Sequence, residues 1–240
     1  MPMMRAGAVA SAIVAAAALG APAAGRALQP DLDPQTVLEA ITLGQAALDG
    51  GRTAFHRPYR FVIGRPPLDS VDIVTPFRRV VIAAELRARA GDRRFGQRDG
   101  LAVAASHPGQ LSVHAEFTFH PLNTYVLVPQ YRMAWLTRRG GRIEPANTES
   151  APRYGPRTGP EALPVPLAGA PGAATGIRPG GGQPMMGATV VSYFDARRLV
   201  GDLDPARRAV GDLDPAVELV IEEAGREELA RLPIDLAIVR

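Results

Sequence analysis

The sequence predicts an α+β fold: a mainly helical N-terminal part followed by a C-terminal antiparallel β-sheet or β-sandwich. Three observations predict it. Two segments open with a capping side chain and then proline, Asp33-Pro34 and Thr75-Pro76, the order that favours a helix start. From Leu111 to Phe119 apolar and polar residues alternate without a break, the period of a half-buried strand. The same alternation returns near the C-terminus, at Val217, Leu219 and Ile221 and again at Leu232, Ile234, Leu236 and Ile238.

The elements follow in chain order. After Asp33-Pro34, the apolar residues Leu38, Ile41 and Leu48 recur at helical spacing until Asp49-Gly50-Gly51, which predicts a helix over about 34–48. Arginines and aromatics then intermix at Arg52, Phe55, His56, Arg57, Tyr59, Arg60, Phe61 and Arg65. A short surface strand from Tyr59 to Ile63 accounts for them, and a patch for anionic polymer or lipid headgroups is the sharper alternative. Behind Thr75-Pro76, one helical face carries Phe77, Val80, Val81, Ala84 and Ala88, with Arg78, Arg79, Glu85 and Arg89 elsewhere and Gly91 placed to end the helix. A weaker helix over about 96–105 precedes the breaker His107-Pro108-Gly109. Residues 28–105 thus form the helical part.

Beyond it, Pro121-Leu122-Asn123 reads as a turn and Thr124 to Leu136 as an antiparallel return, with Pro129 at a bulge or edge. Together 111–136 read as a β-hairpin of the core sheet, with Trp135, the sole tryptophan, inside. From Gly140 to Gly187, 20 of the 48 residues are glycine or proline, and such a segment buries too little to offset its ordering entropy. Residues 140–187 therefore read as a disordered insertion. Strand character resumes at Ala188 to Phe194, and residues 188–240 supply the remaining strands. Within them Ala196–Pro205 is repeated with one change at Ala206–Pro215. Two copies fall short of a solenoid, and the Asp-Leu-Asp pairs lack the ligand series of a calcium loop. Around the Ala224-Gly225-Arg226 turn, a C-terminal hairpin competes with a helix capped by Asp214-Pro215, and the alternation after Leu232 favours the hairpin.

Residues 1–23 have the order of a signal peptide: Arg5, an apolar run from Ala6 to Leu19, and Ala21-Pro22-Ala23 as a cleavage site before Ala24. The run is too short for a spanning helix, which needs ~20 apolar residues. The expected product is therefore a periplasmic or secreted protein with no transmembrane span. All 27 basic residues are arginine and cysteine is absent, a bias expected of a GC-rich bacterial genome. The composition excludes disulfides, thiolate metal sites and Schiff-base or Walker-type lysine chemistry. The net charge of +3 gives no reason to expect nucleic acid as a partner.

Chemistry has few footholds. His107, His114 and His120 surround Glu116. On a strand rising ~3.3 Å per residue, however, His114 and His120 are too distant to share an ion. Only His114 and Glu116 share a face, as a metal pair in want of a third ligand. Ser106 adjoins His107, but neighbours on an extended chain point apart, and no nucleophile elbow or His-Glu-x-x-His helix is present. The expected function is a non-enzymatic binding or accessory module, needing no cofactor, whose partner is a protein or a cell-envelope polymer. The alternative is a metal-assisted hydrolase using the His114 and Glu116 strand face.

Overall fold

The computed structural model describes residues 28–46, 50–92, 94–120, 122–137, 140–154, 185–201, 216–225, 228–236 and 239. The signal-peptide reading of 1–23, most of the insertion (155–184) and the duplication from 202 to 215 lie outside these residues. The α+β class holds. No helix among the described residues is long and apolar enough to cross a membrane.

Helix α1 (Pro34–Gln45) starts as its sequence dictates, with the Asp33 carboxylate accepting the Thr36 N–H at 2.9 Å. Its buried face is Val37, Ala40, Ile41 and Gly44, whereas Leu38 points outward. The reason is Gly44: a Cβ there would lie 2.4 Å from the Val81 carbonyl oxygen, so this face lets the helices touch. A short helix α2 (Gly50–His56) and a 3₁₀ turn, Arg57–Tyr59, lead into β1 (Arg60–Arg65) and β2 (Leu68–Val74). Helix α3 (Pro76–Arg89) is capped by the Thr75 hydroxyl, which accepts the Arg78 N–H, and ends at Gly91, whose φ of +77° is a left-handed conformation. Helix α4 (Gln97–Ser106) completes a helical cluster in which Val37, Ile41, Phe77, Val80, Val81, Ala84 and Phe95 pack together.

The strands form two antiparallel sheets. The first has the order β1-β2-β3-β7-β6, with β3 (Gln110–Thr118), β6 (Asn147–Tyr154) and β7 (Met185–Asp195). The second has the order β5-β4-β8-β9, with β4 (Tyr131–Leu136), β5 (Arg142–Ile143), β8 (Ala216–Glu223) and β9 (Glu228–Asp235). Helix α5 (Ala196–Gly201) follows β7. The main core unites inward residues of both sheets, among them Val71, Val113, Phe117, Trp135, Val190 and Leu219. Phe117 stacks on Tyr131 with ring centres 3.8 Å apart, and Trp135 meets Phe194 edge-on at 6.0 Å. Each pair joins the two sheets, so this is a β-sandwich with helices behind one layer.

Three expectations need correction. Residues 111–136 are not a hairpin: β3 sits between β2 and β7, while β4 pairs with β5 and β8 in the other sheet. The chain crosses between layers through residues 119–130. Pro129, which has no N–H to give a ladder, lies before β4 rather than within it. The mainly helical part 28–105 also contributes two strands to the first sheet, β1 near the strand expected at 59–63 and β2, which the sequence reading did not include. The segment 140–187, expected to be disordered, instead contains β5, β6 and the start of β7. The C-terminal hairpin stands: β8 pairs with β9 from Ala216↔Asp235 to Glu222↔Glu228.

Candidate functional site

The sequence-predicted site residues lie on β3, and the structure buries them. His114 and Glu116 share one face as the period of two requires, yet that face is no outer surface. His114 faces Asp72 across the ladder to β2 and bonds the Ser112 hydroxyl through Nε2 at 3.1 Å. Glu116 accepts a hydrogen bond from the Thr189 hydroxyl at 2.8 Å and meets Arg153 at 2.9 Å. Both side chains are committed to protein partners, and among the described residues no group of three His, Cys, Asp or Glu is placed to hold a metal. His120 lies beyond the end of β3, exposed, apart from this pair.

Helix α3 supplies part of the cover, through arginines that lie off the apolar face read from the sequence. Arg78 is buried and reaches the Asp72 carboxylate, the Ile73 carbonyl and His56 Nδ1. Accepting that bond at Nδ1 leaves the His56 Nε2–H to donate to Glu85 at 2.9 Å. Arg79 donates to the carbonyls of His107 and Gln110. Burial lowers the Arg79 pKa to about 10. In the arginine and aromatic segment, Tyr59 is core and Phe55 packs against it, leaving Arg57, Arg60 and Arg65 exposed. Phe61 is likewise half-buried against the main core.

Burial drives the His114 imidazole down to about 4, with Asp72 opposing and Arg78 and Arg79 reinforcing the shift. Between its ordinary value of 6.5 and about 4, the unfolded chain binds a proton here that the folded chain does not. Stability is therefore complete above the upper limit and falls as pH drops through this window, by on the order of 3 kcal/mol. In His114→Gln this component of the slope is expected to vanish. Urea midpoints of both proteins at several pH values test it, and parallel curves would refute it.

Ser106 and His107 do touch, contrary to expectation. Helix α4 ends there, so the chain is not extended, and Ser106 Oγ lies 2.9 Å from His107 Nδ1. The hydroxyl spends its one proton on the Val103 carbonyl at 2.7 Å, so the imidazole donates to Oγ. A ring that gives its proton to a hydroxyl does not act as its base.

The concave feature lies elsewhere. At one end of the sandwich a cleft of about 630 Å³ opens where the β1–β2 turn, the end of β3 and the β8–β9 turn meet. Pro66, Pro67, Phe119, Tyr125 and Leu229 form its apolar wall, and Arg65, His120, Glu223 and Glu228 its charged rim. Asn123 frames the mouth: its Nδ2 donates to the carbonyls of His120 (2.7 Å) and Met185 (2.8 Å), while its Oδ1 accepts the Tyr125 N–H at 3.0 Å. Tyr125 rests edge-on against Phe119 with ring centres 5.0 Å apart. A second hollow of about 410 Å³ lies between β4 and β6, lined by Val128, Arg132 and Glu149 among others. Neither was foreseen, because a cleft assembled from residues 65 to 229 leaves no local motif. The available signal was the run Tyr125-Val126-Leu127-Val128, which a one-sided strand cannot bury in full.

No protein-family model matches this sequence, and no curated protein or solved structure is detectably similar to it.

Proposed function

We propose that this chain is an exported, non-enzymatic binding or accessory module whose ligand occupies the cleft between Pro66 and Leu229. The observation that carries the proposal is the cleft's composition. An aromatic and proline wall beside a rim of both charge signs is the usual make-up of a recognition site, apolar for affinity and polar for orientation. The export half of the proposal rests on residues 1–23 and places the protein in the periplasm or outside the cell. His114 and Glu116 serve the fold in this reading, since a metal hydrolase needs ligands open to substrate.

A fragment library screened by amide NMR against the full chain tests the proposal. Binders are expected to move the Phe119, Tyr125 and Leu229 resonances, and Tyr125→Ala is expected to weaken them at least ~10-fold, or about 1.4 kcal/mol. Binders that map elsewhere, or a screen without binders, would remove the cleft from consideration.

A further inference from the structure

The polar side chains that line the cleft between Pro66 and Leu229 divide into those already engaged and those left over. The carboxylates and the amide are engaged. Glu228 takes two hydrogen bonds from Arg231, at 3.1 and 2.7 Å, and Glu223 has a partner of its own. Asn123 spends both amide hydrogens on the carbonyls of His120 and Met185 and its oxygen on the Tyr125 N–H. The Thr118 hydroxyl donates to Asp69.

What is left over donates. Arg65 is exposed, and its guanidinium makes no hydrogen bond or ion pair among the described residues. The His120 Nδ1 accepts the Leu122 N–H at 3.1 Å, so the ring hydrogen sits on Nε2, which is unbonded. The Tyr125 hydroxyl is unbonded too, because that residue is held through its main chain and the edge of its ring.

A ligand that satisfies this set carries an acceptor, and the uncompensated guanidinium makes a charged acceptor the better match. Guanidinium and carboxylate pair through two parallel hydrogen bonds, and hydroxyl and imidazole N–H groups donate to the same kind of oxygen. A cation meets the reverse situation, since the nearby carboxylates are already paired and Arg65 repels it. A phosphate monoester brings nearly twice the charge of a carboxylate against Glu223 and Glu228, so a monoanion is favoured over a dianion. Phe119, Tyr125, Pro66, Pro67 and Leu229 form the wall for an apolar body. The volume of about 630 Å³ lies within the ~300–1,000 Å³ of small-molecule sites, which sets the ligand's size.

We propose that the cleft binds a small organic carboxylate, its apolar body against Phe119, Tyr125 and Leu229 and its carboxylate on the Arg65 guanidinium, with His120 and Tyr125 as further donors. The assignment rests on the binding-module reading and names its ligand class.

Matched triplets of aryl-alkyl acids, primary amides and amines, beginning with 3-phenylpropionate, 3-phenylpropionamide and 3-phenylpropylamine, are titrated into the full chain and followed by amide NMR. Within each triplet the acid is expected to bind at least ~10-fold more tightly than the amide or the amine, moving the Phe119, Tyr125 and Leu229 resonances. In Arg65→Gln the acid is expected to fall to within about twofold of its amide, while the melting temperature stays at the wild-type value because the Arg65 side chain holds nothing. Arg60→Gln removes an equal charge from the same strand outside the cleft and is expected to preserve the preference.

An amide or amine that binds as tightly as its acid would overturn the assignment. So would an acid preference that survives Arg65→Gln, one that is lost equally in Arg60→Gln, or acids whose shifts map outside the cleft. Tighter binding of 2-phenylethyl phosphate than of the carboxylates would overturn it in favour of a phosphate. Neutral or cationic fragments seated in the cleft beside acids that do not bind refute this inference alone. The absence of any binder from both the triplets and the fragment screen refutes the binding-module reading with it.

Discussion

Arg78→Met is expected to destabilise the protein by about 3–5 kcal/mol, the usual cost of removing one partner from a buried ion pair. Arg78 leaves the first turn of α3 and ends beneath it, only 5% exposed. Its guanidinium donates to both Asp72 carboxylate oxygens, to the Ile73 carbonyl and to His56 Nδ1, and it lies 4.8 Å from the centre of the Tyr59 ring. Methionine fills much of the same volume but leaves Asp72, itself 6% exposed, as a buried charge without its cation. Urea unfolding followed by the fluorescence of Trp135 measures the loss. The double variant Asp72→Asn, Arg78→Met is expected to recover a large part of it, because replacing both partners removes the stranded charge. A loss within 1 kcal/mol for the single variant would show that water or a rearranged neighbour satisfies Asp72.

Trp135→Ala should cost a similar ~3–5 kcal/mol, from lost burial and the cavity left between the sheets. The Trp135 side chain is fully buried, and its Nε1 has no hydrogen-bond partner among the described residues. That orphan makes the conservative variant informative. Trp135→Phe removes the unsatisfied donor along with some volume, so it is expected to cost well under half as much as Trp135→Ala. Scanning calorimetry gives both values without the lost fluorophore. Equal losses would mean that the indole N–H does have a partner.

Wherever a local rule acts alone, the sequence was informative. Asp33 and Thr75 cap the helices they precede, Gly91 ends α3, and the period of two at Val217–Ile221 and Leu232–Ile234 produces the C-terminal hairpin. Errors arose where a tertiary partner reassigns a residue. Arg78 and Glu85 look like solvent residues on a helical wheel, yet Asp72 and His56 draw them inward. β2 is hard to read from sequence because Asp69 and Asp72 interrupt its apolar character, and Asp72 is buried against the Arg78 guanidinium. His114 and Glu116 lie on an apparently polar face for the same reason: alternation reports which residues share a side, not whether that side meets water. The hairpin at 111–136 failed because nearness in sequence favours pairing without requiring it. The cleft was illegible, since its wall and rim come from three separate connections.

The pairing of β6 with β7 has one more implication. These strands are neighbours in unbroken register from Asn147↔Tyr193 to Arg153↔Gly187, with a one-residue shift before Tyr154↔Met185, although 30 residues separate Tyr154 from Met185. Hairpins with short loops inherit their alignment from the turn, so a changed turn length shifts the strands. Here side-chain bonds such as Thr148 to Ser192 at 2.9 Å set the alignment instead. Closing such a connection costs only ~0.6 kcal/mol more for each doubling of its length. Alignment of β6 with β7 is thereby a property of the two strands themselves, so a change in the number of residues between Tyr154 and Met185 is expected to leave the Thr148–Ser192 contact in place.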